Sequence, residues 1–155
     1  MPKDRALVGA AGVHYLAFQL SARGYAVGLT APGVKYVDLL ATNTSTGKSV
    51  ALQVKTMTKA RVSSKKYGDY WKWWLKENAM ASAKGVDFLF AFVDFKGELA
   101  DQQSDATELP DVFLIPAKRV RSARMPDSAS GWFCLAHNTA MKYLNSWDQV
   151  DALLS

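Results

Sequence analysis

Val37-Asp38-Leu39-Leu40 and Leu52-Gln53-Val54-Lys55 are the stretches whose reading decides the fold of this chain. Each lies inside a run that reads as a β-strand, 34–42 and 49–57. Thr44-Ser45-Thr46-Gly47-Lys48 between them reads as a hairpin loop. In the later strand Val50, Leu52 and Val54 alternate with Ala51, Gln53 and Lys55. Side chains of a strand point alternately to opposite faces, so Gln53 and Lys55 share one face. Hairpin strands pair side by side, which brings Asp38 within reach of both.

Working outward, residues 5–23 form a proline-free run, apolar on most sides, and predict a buried helix stopped by Gly24. A short strand over 25–30 and a turn at Ala31-Pro32-Gly33 lead into the 34–42 strand. Beyond a basic loop, 70–84 reads as a helix, 86–95 as an apolar strand and 98–108 as an acidic loop. Residues 111–115 read as a strand closed by Pro116, 118–123 as a short helix, 124–130 as a loop, 131–136 as a last strand and 147–154 as a terminal helix with Ser146 as its N-cap. The order α-β-β-β-α-β-β with a helical C-terminus predicts an α/β (α+β) fold with a mixed sheet, in one domain spanning 1–155.

At 155 residues, 49% hydrophobic and 21% charged, the chain suits a globular core. Its single cysteine, Cys134, excludes a disulfide framework and a four-thiolate zinc site, and points to a reducing, cytoplasmic setting and a small buried side chain. His14 and His137 lie too far apart in sequence to suggest a histidine-rich metal site. His14 reads as a hydrogen-bonded core residue and His137 as a loop residue. The apolar run from Ala6 to Leu20, interrupted by His14 and Gln19, is shorter than a membrane span requires and lacks a cleavage site for a secretory leader.

One acid, an amide and a lysine on neighbouring strands have a definite chemical use. Phosphodiester hydrolysis needs charge offset on the phosphate oxygens, an activated water and a stabilised leaving alkoxide. A divalent cation held by oxygen ligands can supply these. Asp38 is the candidate charged ligand, Gln53 a neutral amide ligand and the Val54 carbonyl a third. Lys55 is placed to contact the phosphate or ease the water's proton loss. By spacing alone, the same residues also fit the polar face of a half-exposed hairpin.

A wider pattern carries more. Leu20-Ser21-Ala22-Arg23-Gly24-Tyr25 closing a helix, then Asp38-Leu39-Leu40, then Gln53-Val54-Lys55-Thr56, and later Tyr70-Trp71, 88–94 and 112–116, resemble in order the PD-(D/E)XK nuclease superfamily over about 5–120. The chain is most similar to members carrying Gln in the middle position, such as Mrr-type restriction enzymes. The resemblance implies a restriction-endonuclease-like fold, Mg²⁺- or Mn²⁺-dependent endonuclease activity on DNA, and catalytic roles for Asp38, Gln53 and Lys55. Many members carry a glutamate in the first helix where this chain has Val13, so the implied site holds a single carboxylate. A catalytically degenerate nucleic-acid-binding protein of the same fold is therefore an alternative, and a protein–protein module of immunity or adaptor type is another.

Between Lys55 and Lys76 seven basic residues face one acid, Asp69, a net +6 where the whole chain is +5. Positive charge so clustered attracts polyanions through counterion release. Lys59, Arg61, Lys65, Lys66, Tyr67, Lys72 and Trp73 are the candidate nucleic-acid contacts, with Tyr67 and Trp73 as the exposed aromatics that stack on bases and Trp71, Trp74 and Leu75 as the inward face of a helix. Tyr67, Trp73 and Trp132 would instead serve a protein partner. Two DNA strands cut by one-site subunits would need a homodimer, for which the apolar first helix offers surface.

Overall fold

The computed structural model describes residues 4–31, 33–76, 79, 87–97 and 108–155. Helix α1 (Arg5–Ala22) begins at Asp4, whose carboxylate accepts the Ala6 N–H at 2.8 Å. It ends as the sequence predicts: Gly24, at φ 90°, lets Gly24 N–H reach Ser21 O and Tyr25 N–H reach Leu20 O, closing the last turn. Strands β1 (Ala26–Leu29), β2 (Leu39–Thr42), β3 (Ser49–Met57), β4 (Arg61–Ser64) and β5 (Gly68–Trp74) follow. Then come β6 (Phe88–Asp94), β7 (Asp111–Pro116), α2 (Ala117–Ala123), β8 (Trp132–Ala136), α3 (His137–Ala140) and α4 (Asp148–Leu154).

Five strands make a mixed sheet in the order β1-β2-β3-β6-β7, with β3 and β6 parallel and the other pairs antiparallel. Three more make a small antiparallel sheet, β4-β5-β8. The fold is mixed α+β, with helices flanking the five-strand sheet. Period-two alternation sorts the main sheet into two cores. Leu52, Val54, Leu89, Ala91, Val93 and Leu114 join Leu16 and Leu20 of α1 and Val150 and Leu154 of α4. On the opposite face Ala51, Phe88, Phe90, Phe92 and Phe113 pack under Trp71, Trp73, Phe133 and Leu135 of the small sheet. Phe92 stacks on Phe133 at 4.5 Å between ring centres and tilts against Trp73 at 5.1 Å.

The expected helix over 70–84 is corrected: residues 70–74 lie in β5, and 77, 78 and 80–86 fall outside the described residues. Trp71, Trp73 and Leu75 are the buried set, at spacing two, while Trp74 is 51% exposed. Aromatics favour a pleated, half-buried surface, and here β4 and β8 pair with the strand on both sides. The basic loop is accordingly a β-hairpin for much of its length. The 34–42 strand is also shorter than expected, starting at Leu39, because Tyr36 adopts φ 68° and breaks the extended run.

His14 is exposed on α1 and not a core residue. Ser146 does not cap α4: its hydroxyl donates back to Lys142 O, and Trp147 holds the cap position. Most of the acidic stretch 98–108 lies outside the described residues. Cys134 is buried, as expected. No helix among the described residues is long and apolar enough to cross a membrane.

Candidate functional site

Strands β2 and β3 pair with Leu39 opposite Leu52 and Leu40 opposite Ala51. Continuing that register by one residue sets Asp38 across from Gln53. Asp38, Gln53 and Lys55 thus occupy the same face of the sheet, the face that also carries Ala51 and Leu40. Asp38 stands just before β2, where ladder pairing gives way to side-chain bonding. Its Oδ2 accepts the Val54 N–H at 2.7 Å, and its own N–H donates to Leu52 O at 2.9 Å. The Val54 N–H and C=O leave an extended strand on the same side, so the carbonyl of Val54 also faces the β2 side of the strand.

The Asp38 backbone is held from behind by a residue the sequence reading did not single out. Thr30 donates its hydroxyl to Val37 O at 2.7 Å and to Asp38 O at 3.2 Å, and its N–H to Asp38 O at 3.1 Å. Thr30 directly follows β1, eight residues upstream, and nothing local in the sequence marks it. With backbone and one carboxylate oxygen both tied, Asp38 loses little further freedom on taking a ligand.

Gln53 is 6% exposed, and its Oε1 is buried with no hydrogen-bond partner among the described residues. A buried carbonyl oxygen left unpaired costs roughly 1–3 kcal/mol. Lys55, two residues on, is half-buried. Burial pushes its ammonium pKa below the ordinary lysine value, and the Asp38 carboxylate partly offsets that fall. The group is oxygen-rich with one cation beside it. It contains one carboxylate, and among the described residues no three His, Cys, Asp or Glu side chains gather as a metal cluster.

A second acid matters to this region and was passed over in the sequence. Asp94, 1% exposed at the end of β6, accepts the N–H groups of Ala60 at 2.8 Å, Lys96 at 2.9 Å and Arg61 at 3.3 Å. It fastens the β3–β4 connection at Ala60 and Arg61, just past the end of β3. Its signal was a lone acid ending the apolar run 88–93.

The seven candidate nucleic-acid contacts divide among several places. Lys59 is exposed between β3 and β4, and Lys65 and Lys66 are exposed at the β4–β5 turn. Arg61 is ion-paired with Asp69 and lies 5.5 Å over the Trp71 ring. Tyr67 is 41% exposed, with the Lys66 ammonium 4.7 Å over its ring. Lys72 points to the outer face of the small sheet, 4.9 Å over Trp132. Trp73 is corrected: it is fully buried, its indole N–H donates to Val93 O at 3.0 Å, and it cannot stack on a base or meet a partner. Strand alternation turns Trp71 and Trp73 inward and Tyr70, Lys72 and Trp74 outward. Trp132, the other aromatic suggested for a partner, is half-buried.

The chain matches no protein-family model and no curated protein. Among solved structures it is similar to a bacterial homing endonuclease, I-Ssp6803I, at 14% identity and a TM-score of 0.57, over 95% of this chain and 91% of that one. A Holliday junction resolvase, Hjc of Archaeoglobus fulgidus, aligns at 13% identity and a TM-score of 0.46, over 83% of this chain and 91% of its own. At such identities likeness speaks to fold alone. The mixed five-strand sheet with flanking helices is consistent with the restriction-endonuclease-like architecture that the sequence resemblance implies.

Proposed function

We propose that this chain is a metal-dependent DNA endonuclease of the PD-(D/E)XK type, in its glutamine variant close to the Mrr-type enzymes, acting as one cytoplasmic domain with Mg²⁺ or Mn²⁺. The observation that carries the reading is the unpaired Gln53 Oε1, buried on the same sheet face as Asp38 and Lys55. The donors present fit a hard divalent cation: the Asp38 carboxylate, the Gln53 amide oxygen and the Val54 carbonyl are all oxygen. When bound, such an ion offsets phosphate charge and acidifies a coordinated water. Asp38 holds its carboxylate in place through Val54 N–H. Lys55 offers a positive group to the scissile phosphate, and its lowered pKa favours proton exchange with water. The likeness of fold to a homing endonuclease supports DNA as the substrate.

The single carboxylate favours a second reading, a binding protein that keeps the fold without catalysis. Incubating supercoiled and linear DNA with Mg²⁺ or Mn²⁺ tests the first. Wild type should nick or cut, Asp38→Asn should not, and equal rates would remove Asp38 from the chemistry. Calorimetric titration with Mn²⁺ separates the two, since a binding-only protein has no cation site for Asp38→Asn to abolish. A dimer built on the exposed Leu7 and Phe18 of α1 would allow both strands to be cut, and a strict monomer on size-exclusion chromatography would refute it.

A further inference from the structure

The outer face of the small sheet carries a cleft of about 240 Å³ that the Asp38 site does not use. Tyr67, Tyr70 and Trp132 supply its aromatic walls, with Lys72, Asp127 and Ser128 as the polar ones. This is below the roughly 300–1,000 Å³ of sites for drug-sized ligands, and suits a single planar ring system. Trp74 stands edge-on against Trp132 at 5.2 Å, bracing it from outside. Gly131 makes that bracing possible: a Cβ there would come within 2.7 Å of the Trp74 ring. Charge at the cleft is asymmetric. The Lys72 ammonium lies over Trp132 and that of Lys66 over Tyr67, and Arg124 binds the hydroxyl and carbonyl of Ser128. Asp127 alone among the lining residues opposes them.

We propose that this cleft takes an unpaired nucleotide of a DNA strand, its base against Tyr67, Tyr70 and Trp132 and its phosphate at Lys72 and Lys66. Aromatic faces with flanking cations are the recurring means of holding single strands, because every base offers a ring face and every linkage a negative charge. The inference rests on DNA being the ligand under the proposed function, and narrows it to DNA with a single-stranded stretch. Its place on the opposite side of the small sheet from the buried Trp71 and Trp73 makes it a contact separate from the Asp38 site.

Titration of the full chain, without divalent metal, with a short oligothymidylate and with a duplex of equal length tests this by tryptophan quenching and anisotropy. The single strand should bind more tightly. Tyr67→Ala should weaken it roughly ten-fold, the loss of one stacked ring. Lys72→Ala should lower the salt dependence by about 0.7 in slope, one phosphate contact fewer. Asp127→Lys should tighten binding, which guards against reading misfolding as lost contact. Equal affinity for both DNA forms, single-strand affinity unchanged in Tyr67→Ala with Lys72→Ala, or weakening in Asp127→Lys would each overturn the cleft, whatever the cleavage assay shows. Binding to no oligonucleotide would overturn it too and leave the face to a protein partner. Intact single-strand binding with no cleavage by wild type would sink the nuclease reading alone.

Discussion

Replacing Asp94 should unfasten the molecule at the junction of its two sheets. The carboxylate is 1% exposed and accepts three backbone N–H groups, from Ala60, Arg61 and Lys96. Asp94→Ala leaves all three without their acceptor. The Ala60 donor is fully buried and the bonds from Arg61 and Lys96 are partly so, so the first counts most. Taking roughly 1–3 kcal/mol for a buried donor left unmet, and less for the other two, gives a loss of about 3–5 kcal/mol. In a chain of this size that corresponds to a fall in Tm of about 10 °C. Asp94→Asn keeps one acceptor oxygen and should lose about half as much. Urea denaturation followed by circular dichroism measures both variants, and amide exchange at Ala60 and Lys96 locates the effect. A loss in Asp94→Ala below about 1 kcal/mol, or equal losses in the two variants, would refute the clamp.

Asp38→Asn retains an oxygen for the Val54 N–H, so stability should move by less than about 1 kcal/mol while DNA cleavage falls by roughly 10²–10⁴; parallel melting and nicking assays check the split. Lys55→Met should raise stability at neutral pH. The native state holds the Lys55 proton less firmly than the unfolded chain, so wild-type stability rises with pH between the lowered native pKa and the ordinary lysine value of 10.5, and the burial cost is felt in full below that interval. The advantage of the Met variant should therefore shrink as pH approaches 10.5, which urea titrations at pH 7 and 10 would show. Gly12→Ala would drive a methyl group into the Thr56 hydroxyl, with an overpacking loss of about 1–3 kcal/mol. Adding Thr56→Ala should recover most of it, and additive losses in the double variant would contradict that contact.

What the sequence made legible was set by how local each determinant is. Strand β3 spans 49–57 as its alternation predicts, and β7 follows from a short apolar run ending at Pro116. Asp38, Gln53 and Lys55 fall on one face because a hairpin fixes its own register. The 70–74 segment misled because helical spacing selects Trp71, Trp74 and Leu75 while strand spacing selects Trp71, Trp73 and Leu75. Two of the three residues coincide. Pairing with β8, some sixty residues downstream, decides between them, and no window around Trp73 contains it. Thr30 and Asp94 escaped for the same reason: their partners are backbone groups brought near by the fold. Tyr36 shortened β2 through a positive φ that nothing in its side chain requires.

The position of Gln53 ties the architecture to the chemistry. On one side its neighbour in β6 is Phe90, fully buried in the core that Trp73 and Phe133 cover. On the other, β2 presents Leu40, 45% exposed. The amide thus stands at the step between a covered and an open sheet. The covered side excludes water and strengthens the pull between Lys55, Asp38 and any bound charge. Under the proposed function, the open side is where a polyanion would approach. Among the described residues Thr56 Oγ1 and Trp71 Nε1 are likewise buried without a hydrogen-bond partner. Thr56 is pressed against Gly12 of α1 on the opposite face of β3, and Trp71 lies between Phe113 and His137. Gln53 Oε1 alone of the three shares its face with the Asp38 carboxylate and the half-buried Lys55, which is why the proposed site is built around it. Gln53→Met, close to it in volume, therefore separates the two uses of the site. Should the oxygen hold no ligand, the variant gains about 1–3 kcal/mol and Mn²⁺ affinity is unchanged. Should it be a ligand, the variant gains the same stability and loses the cation.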